Sequence, residues 1–284
     1  MLQAQRTSIE YCIQCLQEGY RKNYGSLKGE YAEIIGEGAN LALKAIAKTD
    51  AAYHDIEHTI LVALTGQEIL RGKQLREGVV SCEDWLHCIL SLLYHDIGYL
   101  KGICHQDQPS QRRYTTGYNR DFIVLPADAT DASLTAYHVD RGKRFVAEQF
   151  AAHPQLDITL IQHNIELTRF PVPPDEAHED TIHYPGLMRA ADLIGQLADP
   201  GYLGKLPALF AEFAENGTNT TLGYQTPEDL KAGFPPFFWN VVYPYIKDSL
   251  SYLKMTSSGQ QIITNLYGNV FTVERELNLL YEMS

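Results

Sequence analysis

The chain has 284 residues, a formal net charge of −12, and 45% hydrophobic and 20% charged residues. That is long enough to bury a sizeable core, with the composition of an ordinary globular protein rather than of a disordered or fibrous one. The acidic balance repels phosphate backbones and anionic membranes, which disfavours nucleic acid as a main partner.

Met1 to Tyr11 lacks a charged segment followed by an apolar one, and no run reaches the length a bilayer needs, so no membrane span and a cytoplasmic residence are expected. Five cysteines at irregular spacing imply reduced thiols, with Cys12 and Cys15 read as small apolar residues on a helix face. The glycosylation patterns at Asn216 and Asn219 have no secretory signal to support them and are read as chance. Nothing in the sequence fixes oligomeric state, which leaves a homo-oligomer open.

In chain order, Ile9, Cys12, Ile13, Leu16 and Tyr20 predict a helix over Thr7 to Arg21, and a similar pattern predicts one over Tyr31 to Ala47. Thr49 and Asp50 offer a cap for a helix running from His54 to about Arg71. Ser81 with Asp84 three residues on reads as a capping box opening an apolar helix that ends at His95-Asp96, near Gly98. Gly102 to Asp131 is rich in turn residues and predicts a long loop. Helices resume over Ser133 to Phe150, capped by Ser133, and over Asp157 to Thr168. Pro171, Pro173 and Pro174 make Phe170 to Asp180 a loop, and Tyr184 to Leu197 is helical with Pro185 at its start. Beyond Pro200, helices are expected over Pro235 to Met255 and Gln260 to Tyr281. No strand-like alternation persists, so the fold class is all-α: one domain over 1–284, with a core of about 50–202 and helical extensions on both sides.

The histidines carry the chemical signal. His54 and His58 are one turn apart, so on a helix both address one site. His95-Asp96 ends an apolar helix, where the pair either grips a cation from two sides or forms a structural hydrogen bond. Asp192 interrupts an apolar helix and requires compensation, by a cation or by Arg189 at i−3. Lys101, just past the His-Asp helix, and Arg141, one turn after His138, are candidates for binding an anionic group, with Arg112, Arg113, Arg144 and Arg169 nearby in sequence. His87 is assigned to the polar side of its helix, His153 and His178 to helix ends or loops, and His105 and His183 to positions close to the site elements.

The order His58, His95-Asp96, Asp192 on separate helices resembles the HD superfamily over roughly Tyr53 to Tyr202. The resemblance implies an HD-domain, phosphodiesterase-like helical bundle with His58, His95, Asp96 and Asp192 as metal ligands. His138 and His163 look like the two intermediate histidines of family members that bind a second metal. The implied cofactor is then two divalent ions, Fe, Mn or Zn with Mg also admissible, bridged by Asp96. The implied activity is phosphohydrolysis of a nucleotide or other small phosphate ester, mono- or diester, through a metal-activated hydroxide, with Asp96 and His54 as catalytic residues. Tyr53-His54 followed by His58 resembles a motif of cyclic-nucleotide phosphodiesterases in which the first histidine protonates the leaving oxygen, although Asp55 stands where that family has Asn. HD proteins that cleave cyclic dinucleotides carry a Lys where this chain has Tyr99, and a Gly-Tyr-Pro absent after His163. The same six ligands also resemble HD-type di-iron oxygenases such as myo-inositol oxygenase, which is the alternative activity.

Overall fold

A computed structural model describes residues 2–283, and the chain forms an all-α bundle. The helices that matter most for the site are α1 (Leu2–Tyr24), α2 (Glu30–Ile46), α3 (Ile56–Glu77), α4 (Cys82–Tyr94), α5 (His138–Phe150), α6 (Ile158–Glu166), α7 (Tyr184–Leu197) and α8 (Tyr202–Asn216). Short α9 (Thr218–Leu222) leads to α10 (Pro227–Phe237), α11 (Tyr243–Leu253) and α12 (Ser257–Met283). Among the described residues no helix is long and apolar enough to cross a membrane.

Helix α4 is the axis of the bundle. Trp85, Leu86, Cys88, Ile89, Leu92, Leu93 and Tyr94 are buried around its whole circumference, as expected of a helix surrounded by others. It packs on α2, α3, α6 and α7. Its start is the expected capping box, with the Ser81 hydroxyl accepting from Asp84 N and the Asp84 carboxylate accepting from Ser81 N. One continuous apolar core runs from Ile9 to Val273, and a small satellite of Tyr114, Leu125 and Leu134 lies under the loop after α4.

Several boundaries differ from the sequence expectation, each for a local reason. The third helix begins at Ile56, not His54. Asp55 is extended and its carboxylate accepts from Glu57 N and His58 N, making it the N-cap and leaving His54 outside the helix. Thr49 and Asp50 do not cap that helix; both bind Asp131, through its side chain and its backbone N–H. The loop over 102–131 contains a small hairpin, β1 (Arg113–Thr115) against β2 (Phe122–Val124), with the Arg113 guanidinium 3.7 Å from the Phe122 ring centre. Thr130 rather than Ser133 caps the following stretch, which runs as a tight 3-10 helix over Asp131–Tyr137 before α5 begins at His138. Helix α8, not expected from the sequence, follows α7 after a short turn. The expected helix over Pro235 to Met255 is two helices joined by a wider π-type turn at Phe238–Val242, next to Pro235 and Pro236, whose missing N–H groups weaken the regular ladder.

Two glycines set the close approaches that position the site. A Cβ on Gly195 of α7 would lie 2.8 Å from Val62 Cα of α3, so these helices meet backbone to backbone. A Cβ on Gly98 would lie 1.9 Å from His138 O and 2.6 Å from Gly142 N, so the turn after α4 rests directly on the first turn of α5. Gly98→Ala is therefore expected to destabilise the protein by about 1–3 kcal/mol through overpacking, read as a lower urea midpoint at unchanged slope.

Candidate metal centre

Three helices deliver one cluster. His58 is the third residue of α3, His95 ends α4 with Asp96 beside it, and Asp192 lies midway along α7. His58 Nε2 is 3.1 Å from Asp96 Oδ2 and 3.4 Å from Asp192 Oδ1, and His95 Nε2 is 3.1 Å and 3.5 Å from the same two oxygens. Ligand atoms of His58, His95 and Asp192 all fall within 4.8 Å of one another.

The chemistry of this donor set fits a cation. His95 Nδ1–H donates to Leu92 O at 2.7 Å, which fixes the tautomer and turns the Nε2 lone pair into the cluster. Despite their short separation, buried His95 Nε2 and Asp96 Oδ2 make no aligned hydrogen bond. Buried lone pairs facing one another without a shared hydrogen are costly unless a positive charge lies between them.

Protonation reports the same demand. Burial opposes a charge on His58, but Asp192 and Asp96 outweigh it and hold its pKa up at about 9. His95 is likewise raised against burial by Asp96 and Asp192. Burial pushes both carboxyls up, yet the imidazoles prevail and bring Asp192 down to about 2 and Asp96 below the ordinary carboxylate range. Without a metal, protons supply the positive charge that the carboxylates require.

A second group stands beside the cluster. His138 opens α5, donates Nδ1–H to Thr135 O at 2.6 Å and places Nε2 3.8 Å from Asp96 Oδ1. Burial lowers its pKa against the pull of Asp96, favouring the neutral ring a ligand must be. His54 Nδ1 lies 2.5 Å from Glu212 Oε2, while Glu212 Oε1 accepts from Tyr53 N at 2.6 Å and His54 N at 3.0 Å. Burial raises the Glu212 carboxyl, but His54 and these N–H groups bring it below its ordinary value. Between the two histidines sits Tyr99, stacked on His54 with ring centres 4.6 Å apart and on His138 at 4.4 Å.

Sequence reasoning missed Glu212 and the stacking of Tyr99. Glu212 carried a usable signal, a lone charge in the apolar run from Leu206 to Phe213, the same kind of interruption that singled out Asp192. Tyr99 had no comparable signal, because one aromatic residue after a helix is ordinary.

Other expected residues are placed differently. His163 is exposed on α6 and does not join the cluster, since it is the neighbouring Asn164 that points inward to Ser91. Arg141 is fully buried, and its five N–H donors go to Gly98 O, Leu100 O, Thr115 O and both Asp107 oxygens. It ties the loop to α5 and has no donor left for a substrate, which corrects its assignment. Lys101 binds Asp50 and Ala129 O, away from the cluster, beside a cavity of about 310 Å³. Arg189 does not pair with Asp192; it is buried against Leu167 O and the Tyr245 ring. His87 is buried rather than on a polar face, with Nδ1 bound to Glu83 O and Nε2 accepting from Asp157 N.

Comparison with known proteins bears on family and fold. The Npun_R2479-like family matches residues 2–276. No curated protein matches. Among solved structures, the chain is similar to the phosphodiesterase domain of the RhoPDE fusion protein from the choanoflagellate Salpingoeca rosetta, with a TM-score of 0.56 and 14% identity, over 96% of this chain and 93% of that one. The fold is thus an all-α, phosphodiesterase-like bundle.

The raised His58 pKa gives a signed expectation. Its contribution to stability is complete below the ordinary value of 6.5 and is lost as pH rises through about 9. The chelator-treated protein should lose stability over that interval, whereas protein loaded with a divalent ion should not, because the ion replaces the protons. Urea midpoints at a series of pH values, with and without metal, measure both curves.

Proposed function

The chain belongs to the Npun_R2479-like family, and for this member we propose a metal-dependent phosphohydrolase acting on a nucleotide or other small phosphate ester. The observation that carries the proposal is the convergence of buried His58, His95 and Asp96 with half-buried Asp192, lone pairs aimed at one another. The phosphodiesterase-like fold agrees with it. His58, His95, Asp96 and Asp192 would hold one divalent ion, and His138, 3.8 Å from Asp96 Oδ1, would be a donor available to a second. Divalent ions there would supply Lewis-acid polarisation of a phosphoryl oxygen and a water acidified toward neutrality.

The chain's own contribution is the proton. Glu212 holds the His54 backbone and Nδ1 together, which anchors one edge of the ring and leaves Nε2 as the edge able to reach a leaving oxygen. The Glu212 carboxylate against Nδ1 sets which ring nitrogen faces away from it, so Nε2 is the position from which His54 would pass a proton to a leaving oxygen. His163, which the six-ligand set of both the two-ion hydrolase and the di-iron oxygenase calls for, is exposed, and the oxygenase alternative has no observation of its own in its favour.

Protein loaded with Mn or Fe should hydrolyse generic phosphomonoesters or phosphodiesters and lose this activity to a chelator. Absence of turnover on every such ester, with metal demonstrably bound, would sink the proposal. His54→Gln is expected to lower kcat by about 10²–10⁴-fold on esters with alkyl leaving groups. The same variant should cost far less on nitrophenyl esters, whose leaving oxygen needs no proton, and paired kcat measurements separate a proton donor from a structural residue.

A further inference from the structure

We propose that Tyr99 is a positioning residue of this site, a planar spacer that fixes the ring planes of His54 and His138 on its two faces. The inference rests on the phosphohydrolase reading for its catalytic consequence, but not for its geometry. Each imidazole is held by one hydrogen bond at Nδ1, His54 to Glu212 and His138 to Thr135 O. A single bond of this kind leaves the ring free to rock about the bond axis, so Nε2 sweeps an arc. Stacking against a flat neighbour removes that freedom. Tyr99 supplies the flat neighbour to both rings, with interplanar angles of 18° to His54 and 16° to His138.

The spacer is itself immobilised. Tyr99 is buried, closes the single 3-10 turn after His95-Asp96, and donates its N–H to Asp96 O at 3.0 Å. The preceding Gly98 rests on the His138 carbonyl, where no Cβ would fit. The turn that carries the Asp96 carboxylate therefore also sets the distance between the His54 and His138 rings. The spacer role requires a planar side chain at this position, and the Tyr99 hydroxyl adds a hydrogen bond to the Thr135 side chain.

Tyr99→Phe keeps the ring and Tyr99→Leu replaces it by a smaller non-planar apolar group, with Tyr99→Met as a second, longer non-planar variant should Leu fail to fold. In metal-free full-length protein, the ring protons of His54 and His138 should show upfield ring-current shifts in wild type and Tyr99→Phe, lost in the non-planar variant. With metal, Tyr99→Phe should keep kcat within about threefold, while the non-planar variant loses about 10²-fold in kcat at little changed KM, the cost of a small misplacement. A folded non-planar variant that retains the wild-type ring positions, or that loses them and still turns over at the wild-type kcat, overturns the proposal. If wild type hydrolyses no ester, the function fails and the NMR comparison alone decides the positioning role.

Discussion

The arrangement depends on one electrostatic constraint: Asp96 and Asp192 are held together against His58 and His95 in the interior, with no aligned hydrogen bond to settle His95 Nε2 and Asp96 Oδ2. Bringing two carboxylates out of water costs several kcal/mol each, and a flexible chain would separate them. Separation is prevented by packing. Helix α4 is buried on every side beyond its first turn and so cannot turn His95 outward, while Gly195 lets α7 lie against the backbone of α3, bringing Asp192 to His58. The hydrophobic burial of the bundle thus offsets the cost of the polar cluster at its centre.

How much of this was legible in the sequence follows from the range of the interactions. His58, His95, Asp96 and Asp192 were readable because each breaks an apolar helical pattern, a local signal that needs no knowledge of the fold. Helix α7 was readable to its ends for the same reason, with Pro185 at its start. Arg141 misled because an arginine one turn from a histidine gives no hint that Asp107 and three carbonyls, 26 to 43 residues away, use all its donors. His163 misled because a one-residue step on α6 is a turn of about 100°, and only packing against α4 decides that Asn164 takes the inward position. The start of α3 was misplaced by two residues through a preference for Thr49 and Asp50 as the cap, although Asp55 has the same chemistry.

Two buried guanidinium groups show what the interior does with cations outside the cluster. Arg141 joins the turn after α4, the hairpin loop and α5 by bonding to Gly98 O, Leu100 O and Thr115 O. Arg189 joins α7 to the end of α6 through Leu167 O and lies on the Tyr245 ring of α11. Both tie irregular backbone, whose carbonyls would otherwise be buried without donors, to regular helix. Their cost in desolvation is met by many hydrogen bonds or an aromatic face rather than by a role in binding.

The same accounting bears on how an anion would be held. Lys101 is paired with Asp50, Lys205 with Glu57 and Asp199, and Lys143 and Arg169 with Asp140 and Glu166. These cations are neutralised where they stand, and the protein as a whole carries a formal charge of −12. Under the phosphohydrolase reading, attraction for a phosphate ester would then fall on the divalent ions. Binding of ion and substrate would be linked, each raising the affinity for the other by the same factor. The acidic surface would act as a filter in this scheme, because an anion gains little from approaching anywhere except the centre where the cations are held.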